Sequence, residues 1–243
     1  MNAVPADDYL ELIELESSRL IEIAATASGD VGVPTCPEWT LRDLVGHVGG
    51  AHRWVSTCVT GGLKAQQRIL PLPPDGVSQL LDWFGESVDR LRSALSSVPS
   101  DESVWTPLTG PQASTWWRRK AALEAAIHRW DADNATHAQP EPLAAALALD
   151  GIAEFTEEFL PLLVQAAPAA PVPSIRLCPN DIDVCVDVPL MTPPDGAVAG
   201  LSGTQLSGSA SDLLLWIWNR VGRDNVVVVG DAAILQWWTC LAI

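Results

Sequence analysis

The sequence Ala121-Ala-Leu-Glu-Ala-Ala-Ile-His-Arg-Trp-Asp131 predicts a helix with a glutamate and a histidine on one face. Glu124 and His128 are four residues apart, and at 3.6 residues per turn they lie one above the other. A second predicted helix begins with LRDLVGHV at residues 41–48 and can supply His47 from a neighbouring position. Two imidazoles and one carboxylate form the ligand set of an open zinc site, with a fourth position for water or substrate. These three residues are our candidate metal ligands.

The same residues are also compatible with purely structural roles. A glutamate and a histidine at this spacing form a simple helix side-chain pair in many proteins, and a lone histidine on an apolar helix is usually structural. If the helix face of Glu124 is buried, its apolar neighbours favour a metal or another cation, because an unpaired carboxylate among them is costly. His52 lies five residues after His47 and therefore points to a different helix face. Asp131, one turn beyond His128, either orients that ligand or is a cap or surface charge.

Composition excludes several classes of partner. The 243 residues carry a net charge of -16, which argues against nucleic acid and against anionic membrane surfaces, because both require clustered lysine and arginine. No apolar run is long enough to span a bilayer, and the N-terminus lacks the pattern of a secretory signal. We therefore expect a cytoplasmic protein with a small-molecule substrate. The sequence does not decide between a monomer and a homodimer.

The cysteines and tryptophans carry less information. Five cysteines occur at wide spacing without a CxxC motif, which favours reduced thiols. Cys178 and Cys185 can pair across two strands, but we expect two buried thiols instead. The eleven tryptophans either line an aromatic pocket or pack in the core, and core packing is the expectation for most of them.

Periodicity predicts an α+β fold in which a helical bundle precedes a small α/β module. The predicted bundle helices cover about 7–28, 40–60, 78–98, a segment from about 114, and 142–164. Thr40 and Asp43 predict a capping box, and either Ser209 or Ser211 predicts a cap for a helix over 212–221. Predicted strands cover 175–178, 183–188 and 226–229, the last of them well buried. An Ala/Pro linker at 166–173 separates the predicted domains 1–168 and 172–243.

Four segments resemble the mycothiol-dependent maleylpyruvate isomerase-like proteins, within the wider group of DinB-like helical-bundle metalloproteins. They are VPTCPEWTLRDLVGH at 33–47, EAAIHRWD at 124–131, SGSASDLLLWIWNR at 207–220, and VGD at 229–231. The resemblance implies a DinB-like four-helix bundle with an extra helix that holds Zn²⁺, or another divalent metal, through His47, Glu124 and His128. It also implies mycothiol as the thiol cosubstrate.

In that family the vacant metal position receives the mycothiol thiolate. The thiolate adds to an activated double bond, allows rotation and leaves, while other members resemble thiol S-transferases. Arg220 is similar in position to the family's substrate-carboxylate arginine, although an arginine at a helix end also simply complements the helix dipole. Many members carry histidine where this chain has Leu123.

The sequence thus predicts a zinc-dependent, mycothiol-dependent isomerase or thiol S-transferase that acts on a small anionic or unsaturated metabolite. Two alternatives remain, a hydrolase that uses metal-bound hydroxide and a non-catalytic ligand-binding or regulatory bundle.

Overall fold

The computed structural model describes residues 4–5, 7–61, 70–107, 111–190 and 203–241. Its internal contacts divide the chain into two compact units, Val4–Glu141 and Pro142–Ile243. The helices within 142–166 therefore group with the C-terminal unit, whereas the sequence analysis assigns them to a domain 1–168. That 1–168 and 172–243 fold as independent domains stays a prediction. The predicted order of a helical bundle followed by a small α/β module is confirmed.

In the described part of the first unit there are four helices, and α1 and α2 each pack against both α3 and α4. They are α1 (Asp8–Thr26), α2 (Leu41–Gly61), α3 (Val77–Ser96) and α4 (Thr115–Thr136). The predicted capping box opens α2, because Thr40 N donates to Asp43 Oδ2 at 2.9 Å and Asp43 N donates to Thr40 Oγ1 at 3.3 Å. The hydrogen bonds from Thr40 hold the pKa of the Asp43 carboxyl below its usual value. The start of α2 is thereby fixed, and with it the position of His47.

Two short hairpins occupy segments that periodicity does not identify as strands. Strand β1 (Gly32–Val33) pairs with β2 (Cys36–Thr40), and β3 (Ser103–Val104) pairs with β4 (Gln112–Ala113), both antiparallel. Strands β1, β3 and β4 have two residues each and cannot show an alternating pattern, and the five residues of β2 do not alternate between buried and exposed, so periodicity does not predict them.

Glycine lets the connector before α3 lie directly on α2. A Cβ atom at Gly46 would be 2.8 Å from Pro73 Cγ, and one at Gly50 would be 3.2 Å from Leu70 Cβ. The segment around Pro73 therefore packs against the same helix that carries His47.

Helices α5 (Ala145–Glu154) and α6 (Leu160–Ala166) replace the single helix predicted over 142–164. One π-helical turn at Phe155–Phe159 separates them. Pro161, in the first turn of α6, has no N–H to donate to the preceding turn, so the regular hydrogen-bond ladder is interrupted there.

The C-terminal unit contains a four-stranded sheet in the order β6-β5-β7-β8, with β5 and β7 parallel and the other two pairs antiparallel. The strands are β5 (Ser174–Pro179), β6 (Val186–Pro189), β7 (Gln205–Gly208) and β8 (Val227–Val229). Helix α7 (Ala210–Ile217) follows β7, and α8 (Ala233–Trp238) follows β8. Ser209 is the cap of α7, since its Oγ accepts from Asp212 N at 3.0 Å.

The prediction that residues 226–229 form a well-buried strand is wrong. Strand β8 lies at the edge of the sheet, and the Val227 and Val229 side chains are 65% and 63% exposed. An apolar run by itself does not distinguish a central strand from an edge strand, because strand order is a tertiary property.

The expectation of two buried thiols at Cys178 and Cys185 is also wrong, since they form a disulfide. Leu177 pairs with Val186 in the antiparallel register, which places the two cysteines directly opposite each other with Cα atoms 4.4 Å apart. Cys185 is exposed and not buried. Burial raises the pKa of the Cys58 thiol, which is not part of this disulfide, to about 11.

Most tryptophans for which the structure gives contacts pack in the cores, as predicted. In the first unit the Trp117 ring meets those of Trp54 and Trp116 at centroid distances of 5.3 and 4.7 Å. In the second unit Trp216 packs on Trp238 at 4.7 Å. Within the described part of the chain, no helix combines the length and the apolar character that crossing a bilayer requires.

Candidate metal centre

The structure brings together the three predicted ligands, His47 from α2 and Glu124 and His128 from α4. The Glu124 Oε1 atom lies 3.1 Å from His47 Nε2 and 3.6 Å from His128 Nε2. One ligand atom from each residue lies within 4.8 Å of the other two, and among the described residues this is the cluster of His, Cys, Asp and Glu compact enough for an ion. The i,i+4 spacing sets the pair on α4, and packing of α2 against α4 adds His47.

The donor set fits a zinc ion. With Zn–N and Zn–O bonds near 2.0–2.1 Å, two ligand atoms of a tetrahedral site are about 3.3 Å apart. The two separations at Glu124 Oε1, 3.1 and 3.6 Å, lie on either side of that value. Three protein ligands occupy three of the four tetrahedral positions and leave the fourth for an exogenous group such as water or a thiol.

One side of the cluster faces solvent and the other is buried. The side chains of Glu124 and His47 are 37% and 20% exposed, whereas that of His128 is 9% exposed. An exogenous molecule therefore reaches the cluster from the side of Glu124 and His47.

Asp131 orients His128, whereas the sequence alone is equally compatible with Asp131 as a cap or a surface charge. Its carboxylate is fully buried, and Oδ2 accepts from His128 Nδ1 at 2.9 Å. Since Nδ1 carries the proton, Nε2 has its lone pair free and directed toward Glu124. A carboxylate that fixes the tautomer of a histidine in this way is the usual support of a metal-binding imidazole.

Two further residues at this cluster come from the β1–β2 hairpin, and sequence reasoning assigned them no role. Thr35 Oγ1 donates to Asp131 Oδ1 at 2.6 Å. The Trp39 ring lies against the His47 and His128 imidazoles, with centroid distances of 4.6 and 6.0 Å. Both residues lie in the 33–47 segment that resembles the family. That resemblance is the feature of the sequence from which a role for them could be predicted.

His52 lies apart from the ligands, as its spacing predicts. The side chain is buried against Phe84, and neither ring nitrogen has a hydrogen-bond partner among the residues that the structure describes. Burial lowers the pKa of the His52 imidazole from 6.5 to about 4, although the negative charge of Glu124 acts in the opposite direction.

Burial of neutral His52 predicts that this protein loses stability at acid pH. The folded-state pKa lies below the unfolded value, so the unfolded chain binds the extra proton as pH falls below 6.5 and the loss continues down to about 4. Between pH 7 and pH 5 this residue removes about 2 kcal/mol from the free energy of unfolding. Urea denaturation of chelator-treated protein at both pH values measures the loss.

In that experiment His52→Leu is expected to reduce the pH-dependent loss by about 2 kcal/mol. The control is His137→Gln, because the His137 side chain is 58% exposed. Equal pH-dependent losses in wild type and His52→Leu would contradict the prediction.

Arg220 lies beyond the end of α7, which is shorter than the predicted helix 212–221. Asn219 adopts a left-handed backbone with φ of 56°, and Arg220 N donates to Leu215 O at 2.8 Å while Asn219 N donates to Trp216 O at 3.0 Å. These bonds form a Schellman motif that terminates the helix. The Arg220 guanidinium donates to Trp218 O at 2.9 Å and is partly exposed.

Comparison with known proteins gives matches over nearly the whole chain. The sequence profile of the mycothiol maleylpyruvate isomerase N-terminal domain matches residues 11–133, and that of the MDMPI C-terminal domain matches residues 146–236. No curated protein matches the chain.

Two solved structures share the fold. They are the crystal structures of the mycothiol-dependent maleylpyruvate isomerase and of its variant with a histidine-to-alanine substitution. Their TM-scores are 0.65 and 0.66 and their sequence identities 16% and 15%, and in both cases 93% of each chain is covered.

Proposed function

This chain belongs to the mycothiol maleylpyruvate isomerase family, and from that premise we propose that it is a metal-dependent, thiol-dependent enzyme. The proposed reaction is the cis–trans isomerisation of a small unsaturated, anionic metabolite, or the transfer of a thiol to such a molecule. The single observation that carries the proposal is the convergence of His47, Glu124 and His128 from two helices.

The three residues would hold a divalent metal, zinc in our proposal. A metal bound there supplies Lewis acidity that favours the thiolate form of a thiol such as mycothiol. Glu124 contributes the one negative charge among the ligands, and Asp131 holds His128 in the tautomer that leaves Nε2 free. The exposed side of Glu124 and His47 admits the thiol and the substrate.

We propose Arg220 as the residue that binds the anionic group of the substrate. Its guanidinium is permanently charged and planar, which suits a carboxylate. It is partly exposed, and its Schellman motif fixes the backbone from which the side chain projects.

Arg220→Met is expected to raise KM for a carboxylate substrate about tenfold or more, in line with the loss of one charge-assisted hydrogen bond, while zinc content stays unchanged. An unchanged KM would contradict the proposal that Arg220 binds the anionic group of the substrate.

The proposal is tested by metal analysis and by a thiol-dependence assay. Protein purified without chelator is expected to contain about one equivalent of zinc and to isomerise maleylpyruvate only when mycothiol is added. Less than about a tenth of an equivalent of divalent metal, with no gain on reconstitution, would overturn the metal centre. Turnover of ester or amide probes without a thiol would indicate the hydrolase, and metal without turnover of any probe would indicate a binding protein.

A further inference from the structure

We infer that the hairpin Gly32–Thr40, here called the ligand hairpin, completes the metal centre, with Thr35 and Trp39 as positioning residues for the two histidine ligands. The inference deepens the proposed function and rests on it. Thr35 contacts the carboxylate that supports His128, and Trp39 contacts both imidazoles, so we expect their effect to be on the ligands themselves.

Thr35 acts through Asp131. Both carboxylate oxygens of Asp131 have partners, Thr35 Oγ1 at 2.6 Å and His128 Nδ1 at 2.9 Å, and the side chain is fully buried. The terminal torsion of an aspartate is broad, so each hydrogen bond to the carboxylate helps to fix its plane. The hydrogen bond from Thr35 restrains that plane, and the plane in turn restrains the direction of His128 Nε2.

Trp39 acts on both imidazoles directly. Its indole is tilted by 39° and 41° to the rings of His47 and His128, and these two rings meet edge to face with centroids 5.3 Å apart. Three rings in mutual contact restrict rotation of each imidazole about its Cβ–Cγ bond. The indole also excludes water from the face of the imidazoles that it covers.

The ligand hairpin is anchored to the bundle, so it can hold Thr35 and Trp39 in fixed positions against Asp131 and the two imidazoles. Val33 is buried in the core of the bundle, and Leu41 N donates to Val31 O at 2.7 Å. At the other end of β2, the capping box of Thr40 and Asp43 joins the hairpin directly to α2. Thr35 and Trp39 are therefore placed from an anchored element and not from a free loop.

The experiment measures zinc affinity by chelator competition and the visible absorption spectrum of the Co²⁺-substituted protein. Thr35→Val keeps the shape of the side chain but removes the donor, and Trp39→Leu removes the ring. Each is expected to weaken zinc binding by about 10- to 100-fold, the range observed for groups that orient metal ligands, and to change the Co²⁺ spectrum. Thr35→Ser and Trp39→Phe, which restore the hydroxyl and an aromatic ring, are expected to recover most of the affinity.

The matched control is Thr57→Val on α2. Thr57 is exposed and its hydroxyl donates to Arg53 O within the same helix, so this variant is expected to leave both measurements unchanged. Wild-type zinc affinity and an unaltered Co²⁺ spectrum in Thr35→Val and Trp39→Leu would overturn the inference and leave the proposed function standing. Absence of metal binding by the wild type would instead overturn the proposed function, and the inference with it.

Discussion

Glu124→Ala is expected to abolish stoichiometric zinc binding and thiol-dependent turnover while the protein stays folded. The Glu124 carboxylate lies between the two imidazoles and contributes the only negative charge of the three ligands. Its loss leaves two neutral donors, and we expect the zinc dissociation constant to rise by more than about 100-fold, because loss of an orienting group alone costs 10–100-fold. The side chain is 37% exposed, so no large cavity forms.

Zinc content by elemental analysis and thiol-dependent isomerisation measure the effect, and circular dichroism verifies the fold. The control variant is Glu38→Ala, which removes an exposed negative charge from the ligand hairpin without touching the cluster. One equivalent of zinc bound by Glu124→Ala with wild-type affinity would show that the metal, if present, is held elsewhere.

Arg129→Met is expected to lower the free energy of unfolding by about 3–5 kcal/mol. Arg129 is 1% exposed, and its Nε donates at 2.7 Å to Glu16 Oε2 on α1, whose side chain is itself 2% exposed. Its Nη1 donates to the Glu141 carbonyl at 2.7 Å. Removal of the cation takes away the buried partner of the Glu16 carboxylate and leaves the partly exposed Arg19 guanidinium, 4.0 Å away, as a weaker counter-charge. Loss of the buried partner is the costly event.

Urea denaturation of the metal-free protein measures this effect. The double variant Glu16→Met with Arg129→Met removes both charges and is expected to lose less stability than the sum of the two single variants. Arg92→Met breaks an exposed pair with Glu14, and we expect it to cost less than about 1 kcal/mol. A loss below about 1 kcal/mol in Arg129→Met would show that the buried pair does not hold α1 against α4.

The parts of this protein that sequence analysis predicts well are those set by local geometry. The i,i+4 spacing fixes Glu124 and His128 on one face, and the Thr40 and Asp43 side chains fix the start of α2. Pro161 could have been used in the same way, because a proline in a predicted helix interior indicates an interruption at that point.

The wrong predictions share a different cause. Val227 and Val229 lie on the same face of β8, and their exposure depends on whether another element packs on that face. The bond between Cys178 and Cys185 depends on the register of β5 with β6. Neither the covering of a strand face nor the register follows from the apolar pattern of a single segment.

The sequence by itself determined the four helices of the bundle, the cap at the start of α2, and the pair of potential ligands on α4, because hydrogen bonds and side-chain faces within a helix involve residues three or four positions apart. Only the tertiary structure decided that His47 meets that pair, that Asp131 is a buried support and not a surface charge, and that Thr35 bonds to it across 96 residues of sequence. The physical reason is that the helix repeat fixes contacts within one turn, whereas contacts between elements depend on how all the elements pack together to bury their apolar side chains in the core.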